Sequence, residues 1–293
     1  MNQSEKRLFL IQSLLKEQSE YRDIAIPADT DNQRQLLRGL MNLRRPARIG
    51  AEFLQMQDKY LQGETAAKGI TDAADLTPIQ PGLYLWQGDI TTLKCDAIVN
   101  AANSGMTGCY IPNHRCIDNA IHTYAGVELR LACEELMERQ GYPEPTGQAK
   151  ITPAFNLPCR YVLHTVGPII NGRVSRQDEK LLASCYRSCL ELAAENGLEN
   201  VAFCCISTGE FHFPNERAAE IAVRTVKEFL QKQTSVRKVI FNVFKDLDKA
   251  IYEKLLRADR PAADSFTGLR RRSDRSGLRP VHGGGLHLHR RAI

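Results

Sequence analysis

The sequence of 293 residues contains no long hydrophobic segment. No apolar run approaches the roughly 20 residues that are needed to span a bilayer, so we expect no transmembrane helix. The N-terminal segment, MNQSEKRLFLIQSLLKEQSE, has charges on both sides of a short apolar stretch and lacks a small-residue cleavage site, so it is not typical of a secretory signal. These absences argue against a membrane protein and predict a cytoplasmic one.

Most of the chain also lacks the excess of positive charge that is typical of nucleic-acid-binding proteins. The whole sequence has 39 Lys+Arg and 34 Asp+Glu, which gives a formal net charge of +5. Residues 1–256 hold 30 basic and 31 acidic side chains, or −1, whereas residues 257–293 hold nine Arg and three Asp, or +6. Nucleic-acid binding depends on clustered Lys and Arg, and the near-neutral body gives it no support.

The last 37 residues lack two common residue types. Residues 257–293 contain no Lys and no Glu, although the preceding 256 residues contain 13 and 19 of them. Arg, Gly and His are frequent in this tail, which has neither helical nor strand periodicity. A nucleic-acid arm or a histidine-based metal site is one interpretation. We predict instead a disordered tail without function, whose composition resembles translation in a shifted reading frame.

The cysteines do not form the pattern of a disulfide framework. All nine lie between positions 95 and 205, and the odd total includes the adjacent pair Cys204 and Cys205 inside an apolar run. Disulfide frameworks are typical of short secreted chains, and this chain is long. We therefore expect reduced thiols in the core, with any exceptional cysteine serving a metal or a reaction.

Two hydrophobic patterns divide the chain into a helical part and an α/β part. Apolar residues recur at helical spacing within residues 1–62, which predicts a small helical N-terminal extension, and the small, polar residues 63–81 predict a linker. Residues 82–256 alternate short apolar segments with amphipathic stretches of helical length. This alternation predicts a mainly parallel sheet covered by helices on both faces, with ligands bound beyond the carboxyl ends of the strands.

One segment in the α/β part carries Cys and His at metal-ligand spacing. Cys109, His114 and Cys116 form the pattern C-x4-H-x-C. Sulfur and imidazole suit Zn²⁺, and three protein ligands leave a fourth position for water or substrate, as in catalytic sites. Two incidental thiols and a surface histidine would give the same pattern. A fourth protein ligand would close the site and make it structural, and three residues could supply it: Cys95, His122 and Cys133.

Two further loops follow predicted strands and carry polar groups. VNAANS at 99–104 presents Asn100 and Asn103, whose amides suit a vicinal diol, although paired Asn is also common turn chemistry. STGEFHFP at 207–214 joins an apolar strand to a helix start, where backbone N–H groups bind phosphate, although such turns are common. Asp118 opens the helix after the Cys/His segment, where it would cap the helix or lie beside a metal-bound water.

Six ordered segments together resemble the macrodomain family, the ADP-ribose-binding α/β fold. The resemblance covers about residues 82–256 and implies a three-layer α/β/α macrodomain with a mixed, mostly parallel central sheet. The segments are GDIT (88–91), IVNAANS (98–104), DNAIHTYAG (118–126), TGQAKITPAFNLP (146–158), YVLHTVGP (161–168) and CISTGEFHFP (205–214).

The same resemblance implies which residues bind ADP-ribose. In the family, the Asp-Ile pair of the first segment contacts adenine, which here means Asp89 and Ile90. The second Asn of NAAN, which is Asn103, positions the distal ribose. The STG turn and the residues after it hold the diphosphate, and they are Ser207, Thr208, Gly209, Glu210 and Phe211.

The Cys/His segment departs from the pattern of most hydrolytic macrodomains. Those continue after NAAN with a run of glycines that ends in Val-Asp, whereas here Asn103 and Asp118 are fifteen positions apart and the glycines are replaced. This arrangement is similar to the zinc-dependent macrodomain subclass of bacterial pathogens and some fungi, in which a Cys-His-Cys zinc lies beside the distal ribose. The helical N-terminal extension also fits that subclass, so we expect one Zn²⁺ per chain, bound by Cys109, His114 and Cys116.

The resemblance implies a zinc-dependent hydrolase that removes mono-ADP-ribose from modified protein side chains by cleavage at C1″ of the distal ribose. Asn103 would hold the ribose in a reactive pose, and Asp118 would orient or deprotonate the attacking water. In related bacterial systems a sirtuin-type transferase modifies a lipoyl-carrier protein and the macrodomain reverses the modification, so such a carrier is the implied partner. The alternative is a non-catalytic reader module that binds ADP-ribose and uses its zinc structurally.

Overall fold

The computed structural model describes residues 1–258 of the chain. The tail predicted at 257–293 therefore lies outside the described residues, apart from Arg257 and Ala258, which complete a helix. Along the described residues, helices come first and then alternate with strands, as the two hydrophobic patterns predict. The N-terminal helices are α1 (Gln3–Glu17), α2 (Thr30–Leu43) and α3 (Ala51–Lys68).

The three N-terminal helices share a hydrophobic core of their own. Capping residues mark the N-terminus of two of these helices. Asn2 and Glu5 form a capping box at α1, and Asp29 accepts a hydrogen bond from a backbone N–H of α2. Apolar residues from all three helices are buried together, including Leu10, Leu37 and Phe53. Burial of these amphipathic faces against one another, rather than helix propensity, stabilises such helices.

The predicted boundary between extension and linker at Gly63 is wrong, because α3 continues to Lys68. A Cβ on Gly63 would lie 2.7 Å from the side chain of Gln3, so the glycine allows α1 and α3 to approach each other. Gln3 donates a hydrogen bond to the backbone carbonyl of Tyr60 at this contact. The glycine in this sequence therefore serves helix packing and does not end the helix. The linker is also partly ordered, since Thr71–Asp72 forms a short strand, β1.

The central sheet has six strands in the order β2-β8-β7-β4-β6-β5. All neighbours in it are parallel except β5 and β6, which are antiparallel, so the predicted mixed, mostly parallel sheet is confirmed. β1 pairs separately with β3 (Leu93–Lys94). The six strands are β2 (Leu83–Gln87), β4 (Ala97–Ala101), β5 (Ala149–Pro153), β6 (Tyr161–Thr165), β7 (Asn200–Phe203) and β8 (Lys238–Val243).

Helices cover both faces of this sheet. They are α4 (Ile117–Ala125), α5 (Val127–Gln140), α6 (Arg176–Glu195), α7 (Asn215–Leu230) and α8 (Asp246–Ala258). Successive side chains of a strand point to opposite faces. On β6, His164 contacts Cys133 of α5, whereas the adjacent Thr165 contacts Cys185 of α6. The predicted α/β/α layers are therefore present, and α7 and α8 continue the α6 layer.

The parallel strands bring the candidate loops to one edge of the sheet. β2, β4, β7 and β8 run in the same direction, so the segments that follow them leave the sheet on the same side. These segments contain GDIT, the NAAN loop with the Cys/His segment, and the STG turn. No helix among residues 1–258 is both long and apolar enough to cross a membrane. All nine cysteines are free, as expected for reduced thiols.

Candidate functional site

Cys109, His114 and Cys116 come together beside the carboxyl end of β4. Their ligand atoms all lie within 4.8 Å of one another, and the three side chains are partly exposed. Cys109 Sγ is 3.6 Å from His114 Nδ1. Zn–S and Zn–N bonds of about 2.3 Å and about 2.0 Å at a tetrahedral angle separate S from N by roughly 3.5 Å, which is close to the observed distance. The spacing of these donors therefore fits a zinc ion.

None of the three residues considered as a fourth ligand joins this group within the described part of the chain. His122 and Cys133 instead lie with His164 in a second group that is fully buried. Cys95 is buried next to Cys159, and burial first, then the neighbouring thiol, raises its pKa well above the ordinary value. The partly exposed group thus offers three protein donors, which is the number expected at an open site.

Asp118 lies next to this group but points into the protein. Cys116 is the N-cap of α4, and its Sγ accepts a hydrogen bond from the backbone N–H of Asn119 at 3.4 Å. The Asp118 carboxylate accepts a hydrogen bond from Asn100 Nδ2 at 2.8 Å and lies 3.5 Å from His122 Nε2. Burial raises the pKa of Asp118 to about 6, although the Asn100 hydrogen bond and Arg130 lower it.

Behind Asp118 a buried polar network extends into the sheet. Asn100 Nδ2 also lies 3.2 Å from His164 Nδ1, and His164 Nε2 lies 2.9 Å from Thr152 Oγ1. Since an amide nitrogen can only donate, His164 Nδ1 accepts and Nε2 carries the proton. Burial lowers the pKa of His164 to about 3, so this imidazole is neutral. Sequence reasoning missed His164 and Thr152, which carry no local signal because each contributes through neighbouring strands.

Asn103, the predicted ribose contact, is exposed at the edge of the sheet. Its Oδ1 accepts a hydrogen bond from the N–H of Gly105 at 3.0 Å, and its Nδ2 donates to the carbonyl of Gly108 at 3.2 Å. The amide is therefore held in place by its own loop. Gly108 directly precedes Cys109, so Asn103 connects the NAAN loop to the start of the Cys/His segment.

The predicted diphosphate turn has a tight backbone and open space beside Gly209. Ser207 and His212 adopt positive φ angles of 65° and 58°, and the Phe213 N–H donates to the Ser207 carbonyl at 2.9 Å. Nothing lies within 4 Å of the position that a Cβ on Gly209 would occupy. α7 begins at Asn215, directly beyond the turn. Backbone N–H groups near a helix start are suited to phosphate binding.

Gly167 is a further site residue that sequence reasoning missed. A Cβ on this residue would lie 2.0 Å from Ser207 Oγ and 2.9 Å from Ile206 Cγ2. The loop after β6 therefore passes so close to the predicted diphosphate turn that a Cβ at this position would collide with the side chains of Ser207 and Ile206. The Ile170 N–H also donates to the Phe211 carbonyl at 2.9 Å and joins the two loops. A glycine directly after an apolar strand was the available signal.

Asp89 and Ile90 lie in the loop after β2. The Asp89 carboxylate accepts hydrogen bonds from the N–H and Oγ1 of Thr91 and lies 3.2 Å from Lys68 Nζ at the end of α3. Although burial raises the pKa of Asp89, the Thr91 hydrogen bonds and the Lys68 charge lower it overall. Ile90 is buried.

An exposed aromatic ring lies at the same end of the sheet. Phe244 follows β8 directly, and 75% of its surface is exposed. Its carbonyl accepts a hydrogen bond from Gln87 Nε2 at the end of β2, one residue before the GDIT loop. An exposed, flat apolar group at this end of the sheet is suited to cover one face of a base. Sequence reasoning missed Phe244, and its signal was an aromatic residue immediately after the last apolar strand.

The Cys/His segment and the diphosphate turn meet at His114 and Glu210. His114 Nε2 lies 3.6 Å from Glu210 Oε1, while Nδ1 of the same ring faces Cys109. One nitrogen is thus available for a metal and the other faces a carboxylate, which is a common arrangement for metal-binding histidines. Phe211, next to Glu210, is partly buried.

Fold and site together define an α/β protein whose phosphate-type turn and Cys/His group share the carboxyl edge of a mixed, mostly parallel sheet. A family model described as "Macro domain" matches residues 99–222. A protein from Treponema medium named protein-ADP-ribose hydrolase is 58% identical over 260 residues, which are 87% of this chain and 100% of that protein. The chain belongs to the macrodomain family.

Two further similarities agree with this assignment. A Staphylococcus aureus protein (strain MSSA476), also named protein-ADP-ribose hydrolase, is 48% identical over 253 residues, which are 86% of this chain and 95% of that protein. The solved structure of a mutant macrodomain of Oceanobacillus iheyensis with ADPR has a TM-score of 0.57 and 40% sequence identity, and the match covers 62% of this chain and 96% of that chain. The predicted macrodomain fold is thereby confirmed.

Proposed function

We propose that this protein is a hydrolase that removes mono-ADP-ribose from modified protein side chains, with one Zn²⁺ bound by Cys109, His114 and Cys116. The relatives from T. medium and S. aureus are named protein-ADP-ribose hydrolase, and their similarity extends over most of this chain. The observation that carries the zinc part of the proposal is the 3.6 Å separation of Cys109 Sγ and His114 Nδ1 at the edge that also holds the diphosphate turn.

The donor set of this site is suited to zinc. Two thiols and one imidazole are typical ligands of Zn²⁺, and three protein donors are typical of catalytic sites. When bound, the ion would lower the pKa of a water molecule or polarise a substrate oxygen. The alternative, a reader module with a structural zinc, would favour a fourth protein ligand, and the group formed by the described residues has three.

Different loops would bind different parts of ADP-ribose. The turn at Ser207, Thr208, Gly209, Glu210 and Phe211 would bind the diphosphate, and the loop with Asp89 and Ile90 would bind the adenine. Asn103 would hold the distal ribose through an amide that its own loop already orients. The bond at C1″ would then lie beside Cys116 and the first turn of α4, which carries Asp118.

Asp118 would orient the attacking water and take its proton. Its carboxylate is held from behind by Asn100 at 2.8 Å, so its position does not depend on the substrate. Water attack at C1″ breaks the bond to the modified side chain, and the proton taken from the water can pass to the leaving group. General base catalysis of this kind requires a carboxylate within hydrogen-bond reach of the water.

The implied biological partner is a lipoyl-carrier protein that a sirtuin-type transferase has modified, and the implied location is the cytoplasm. The partner rests on the resemblance to zinc-dependent macrodomains, and the location rests on the sequence pattern, which lacks the features of a secretory signal and of a disulfide framework. Incubation with an ADP-ribosylated lipoyl carrier and with an unrelated ADP-ribosylated protein compares the substrates. We expect faster release from the carrier, and equal rates would remove it as the preferred target.

The catalytic proposal is tested by release of ADP-ribose from a modified protein. Wild type should release it, whereas Cys116→Ala, Asp118→Ala and a chelator-treated sample should be strongly impaired. Cys205→Ala, which removes a thiol outside the group, is the matched control and should retain activity. Equal turnover in all samples would exclude the zinc mechanism, and tight ADP-ribose binding without release by wild type would support the reader module.

A further inference from the structure

The segment that carries the three candidate metal ligands has no regular structure of its own. Residues 107–116, which we call the ligand loop, contain neither helix nor strand. The backbone groups of an irregular loop must find hydrogen-bond partners outside regular structure. In this loop, several of these partners are side chains on other elements. Two of them lie on α2, which belongs to the N-terminal bundle formed by α1, α2 and α3.

Arg38 on α2 contacts the C-terminal part of the ligand loop and the helix that follows it through its guanidinium group. Nη2 donates to the His114 carbonyl at 3.1 Å, and Nε and Nη2 both donate to Asn119 Oδ1, at 3.1 and 2.9 Å. Asn119 in turn donates through Nδ2 to the Ile111 carbonyl at 2.9 Å, and its backbone N–H donates to Cys116 Sγ. Arg38 therefore holds the carbonyl of one candidate ligand and orients the residue that contacts another.

Asn42, one turn further along α2, holds the middle of the loop. Its Oδ1 accepts a hydrogen bond from the Asn113 N–H at 2.9 Å, and its Nδ2 donates to Thr123 Oγ1 at 3.0 Å. Only 1% of the Asn42 surface is exposed. Asn113 adopts a positive φ of 55°, and a Cβ on Gly39 would lie 3.3 Å from its side chain. The turn between His114 and Cys109 is thus packed directly on α2.

Arg130 on α5 also binds the ligand loop and links it to α2. It donates to the carbonyls of Thr107 and Cys109, at 2.7 and 3.2 Å. The same guanidinium donates to carbonyls at the C-terminal end of α2, where a positive charge is favourable. These carbonyls belong to Met41, Asn42 and Arg44.

We propose that α2 is the scaffold that pre-organises the ligand loop for metal binding, with Arg38 and Asn42 as positioning residues. The inference rests on the proposed zinc site and assigns a role to the N-terminal bundle. A free loop of this length would lose conformational entropy when three of its side chains bind one ion. Hydrogen bonds from a packed helix remove much of that freedom before the metal binds, which raises affinity. α1–α3 and the sheet belong to one compact unit, as this role requires.

A purely structural role for these residues predicts a different result. If Arg38 and Asn42 only attached the bundle to the sheet, their loss would lower the stability of the whole chain and leave zinc affinity unchanged in the folded fraction. Zinc affinity and the absorption spectrum of bound Co²⁺ therefore distinguish the two roles, because both report the geometry of the ligands. Thermal unfolding of the metal-free proteins reports stability separately.

The experiment compares the full chain with Arg38→Gln and Asn42→Ala. Arg34→Gln is the matched control, since Arg34 lies on the same helix but pairs with Asp31 and Glu64. Zinc affinity is measured by competition with a chromophoric chelator. We expect 10–100-fold weaker binding in the two variants, the usual effect of removing the partners of metal ligands, and no change in the control. The Co²⁺ spectrum should change in the same two variants.

Each result decides between the possibilities. If both variants have the zinc affinity and Co²⁺ spectrum of wild type, the proposal that α2 is a scaffold is wrong. The proposed zinc site would still stand in that case, provided that wild type binds zinc and Cys116→Ala does not. No zinc binding by wild type, or equal binding by Cys116→Ala, would instead overturn the site itself. If Arg38→Gln does not fold, Arg38→Lys decides, because it retains the charge but loses the planar fork that binds two acceptors. The Arg38→Lys variant should then also bind zinc more weakly than wild type.

Discussion

His114 Nε2 lies 3.6 Å from a carboxylate oxygen of Glu210, so the Cys/His segment and the diphosphate turn are in direct contact. The two residues are far apart in the chain, and the loops that carry them follow different strands, β4 and β7. Through this pair, a change in the diphosphate turn can affect the histidine that faces Cys109. The contact therefore links the proposed metal site to the proposed ADP-ribose site.

Loss of the Glu210 carboxylate is expected to weaken metal binding. A carboxylate that accepts a hydrogen bond from the second nitrogen of a histidine fixes the ring and makes it a better ligand. Because the Glu210 side chain is 71% exposed, we expect Glu210→Ala to lower zinc affinity by about tenfold, the lower end of the usual range. Glu216→Ala, an exposed carboxylate on the first turn of α7, is the control. Equal affinity in both variants would contradict the prediction.

Substitution of Gly167 is expected to disturb the diphosphate turn. A Cβ at this position would lie 2.0 Å from Ser207 Oγ and 2.9 Å from Ile206 Cγ2, so the Ser207 side chain must rotate or the two loops must separate. We expect Gly167→Ala to lower the free energy of unfolding by about 1–3 kcal/mol and to weaken ADP-ribose binding. Denaturant unfolding and calorimetric titration measure these effects.

Two further variants show whether this clash is the cause. Gly50→Ala is a control, because nothing lies within 4 Å of its Cβ position. Ser207→Gly removes the clashing hydroxyl, so combining it with Gly167→Ala should restore most of the lost stability. A double variant as unstable as Gly167→Ala would show that the contact with Ser207 is not responsible.

The buried imidazole of His164 is expected to make stability depend on pH. Burial lowers its pKa to about 3, compared with about 6.5 in the unfolded chain. Between these values the unfolded state binds the extra proton, so stability is full near pH 7 and falls as the pH decreases below about 6.5. This one group should remove about 2 kcal/mol of stability between pH 7 and pH 5.

His164→Gln tests this assignment, because the variant lacks the titrating group. Denaturant unfolding at pH 7 and pH 5 gives the change in the free energy of unfolding for each protein. We expect a smaller change for the variant, by about 2 kcal/mol, since other titrating groups are common to both proteins. The same change in both proteins would mean that His164 does not contribute to the pH dependence.

The ring of Phe244 is expected to contribute to ligand binding but not to stability. Because 75% of it is exposed, Phe244→Ala should leave the melting temperature nearly unchanged. If the ring stacks on adenine, its loss should weaken ADP-ribose binding by about 1–3 kcal/mol. Leu247→Ala, at an apolar residue that is 60% exposed, is the control. Undiminished affinity of Phe244→Ala for ADP-ribose would exclude stacking.

Most of the fold could be predicted because its signals are local. The buried strands β4, β7 and β8 are apolar along most of their length, and the helices between them carry amphipathic patterns, so their order follows from the sequence. β5 was not apparent from these patterns. It lies at the edge of the sheet and most of its residues are only partly buried, so its hydrophobic pattern is weak.

The site was predicted in part for the same reason. Cys109, His114 and Cys116 lie close together in the chain, so their spacing alone predicts a shared ligand, and the structure brings them together. The side chains that hold the site in place could not be predicted in this way, because they come from distant segments. Arg38 and His114 are separated by 76 positions, and Asn100 and His164 by 64.

The sequence by itself determined the candidate donor groups, the order of most strands and helices, and the loops in which the candidate ligand-binding residues lie, because each depends on residue type and spacing within a short segment. Only the tertiary structure decided that α2 packs against the ligand loop, that Glu210 faces His114, and that Gly167 lies against Ser207. These contacts join distant segments, and they depend on how amphipathic helices and strands bury their apolar faces against one another. That burial is a property of the whole fold, which no short segment encodes.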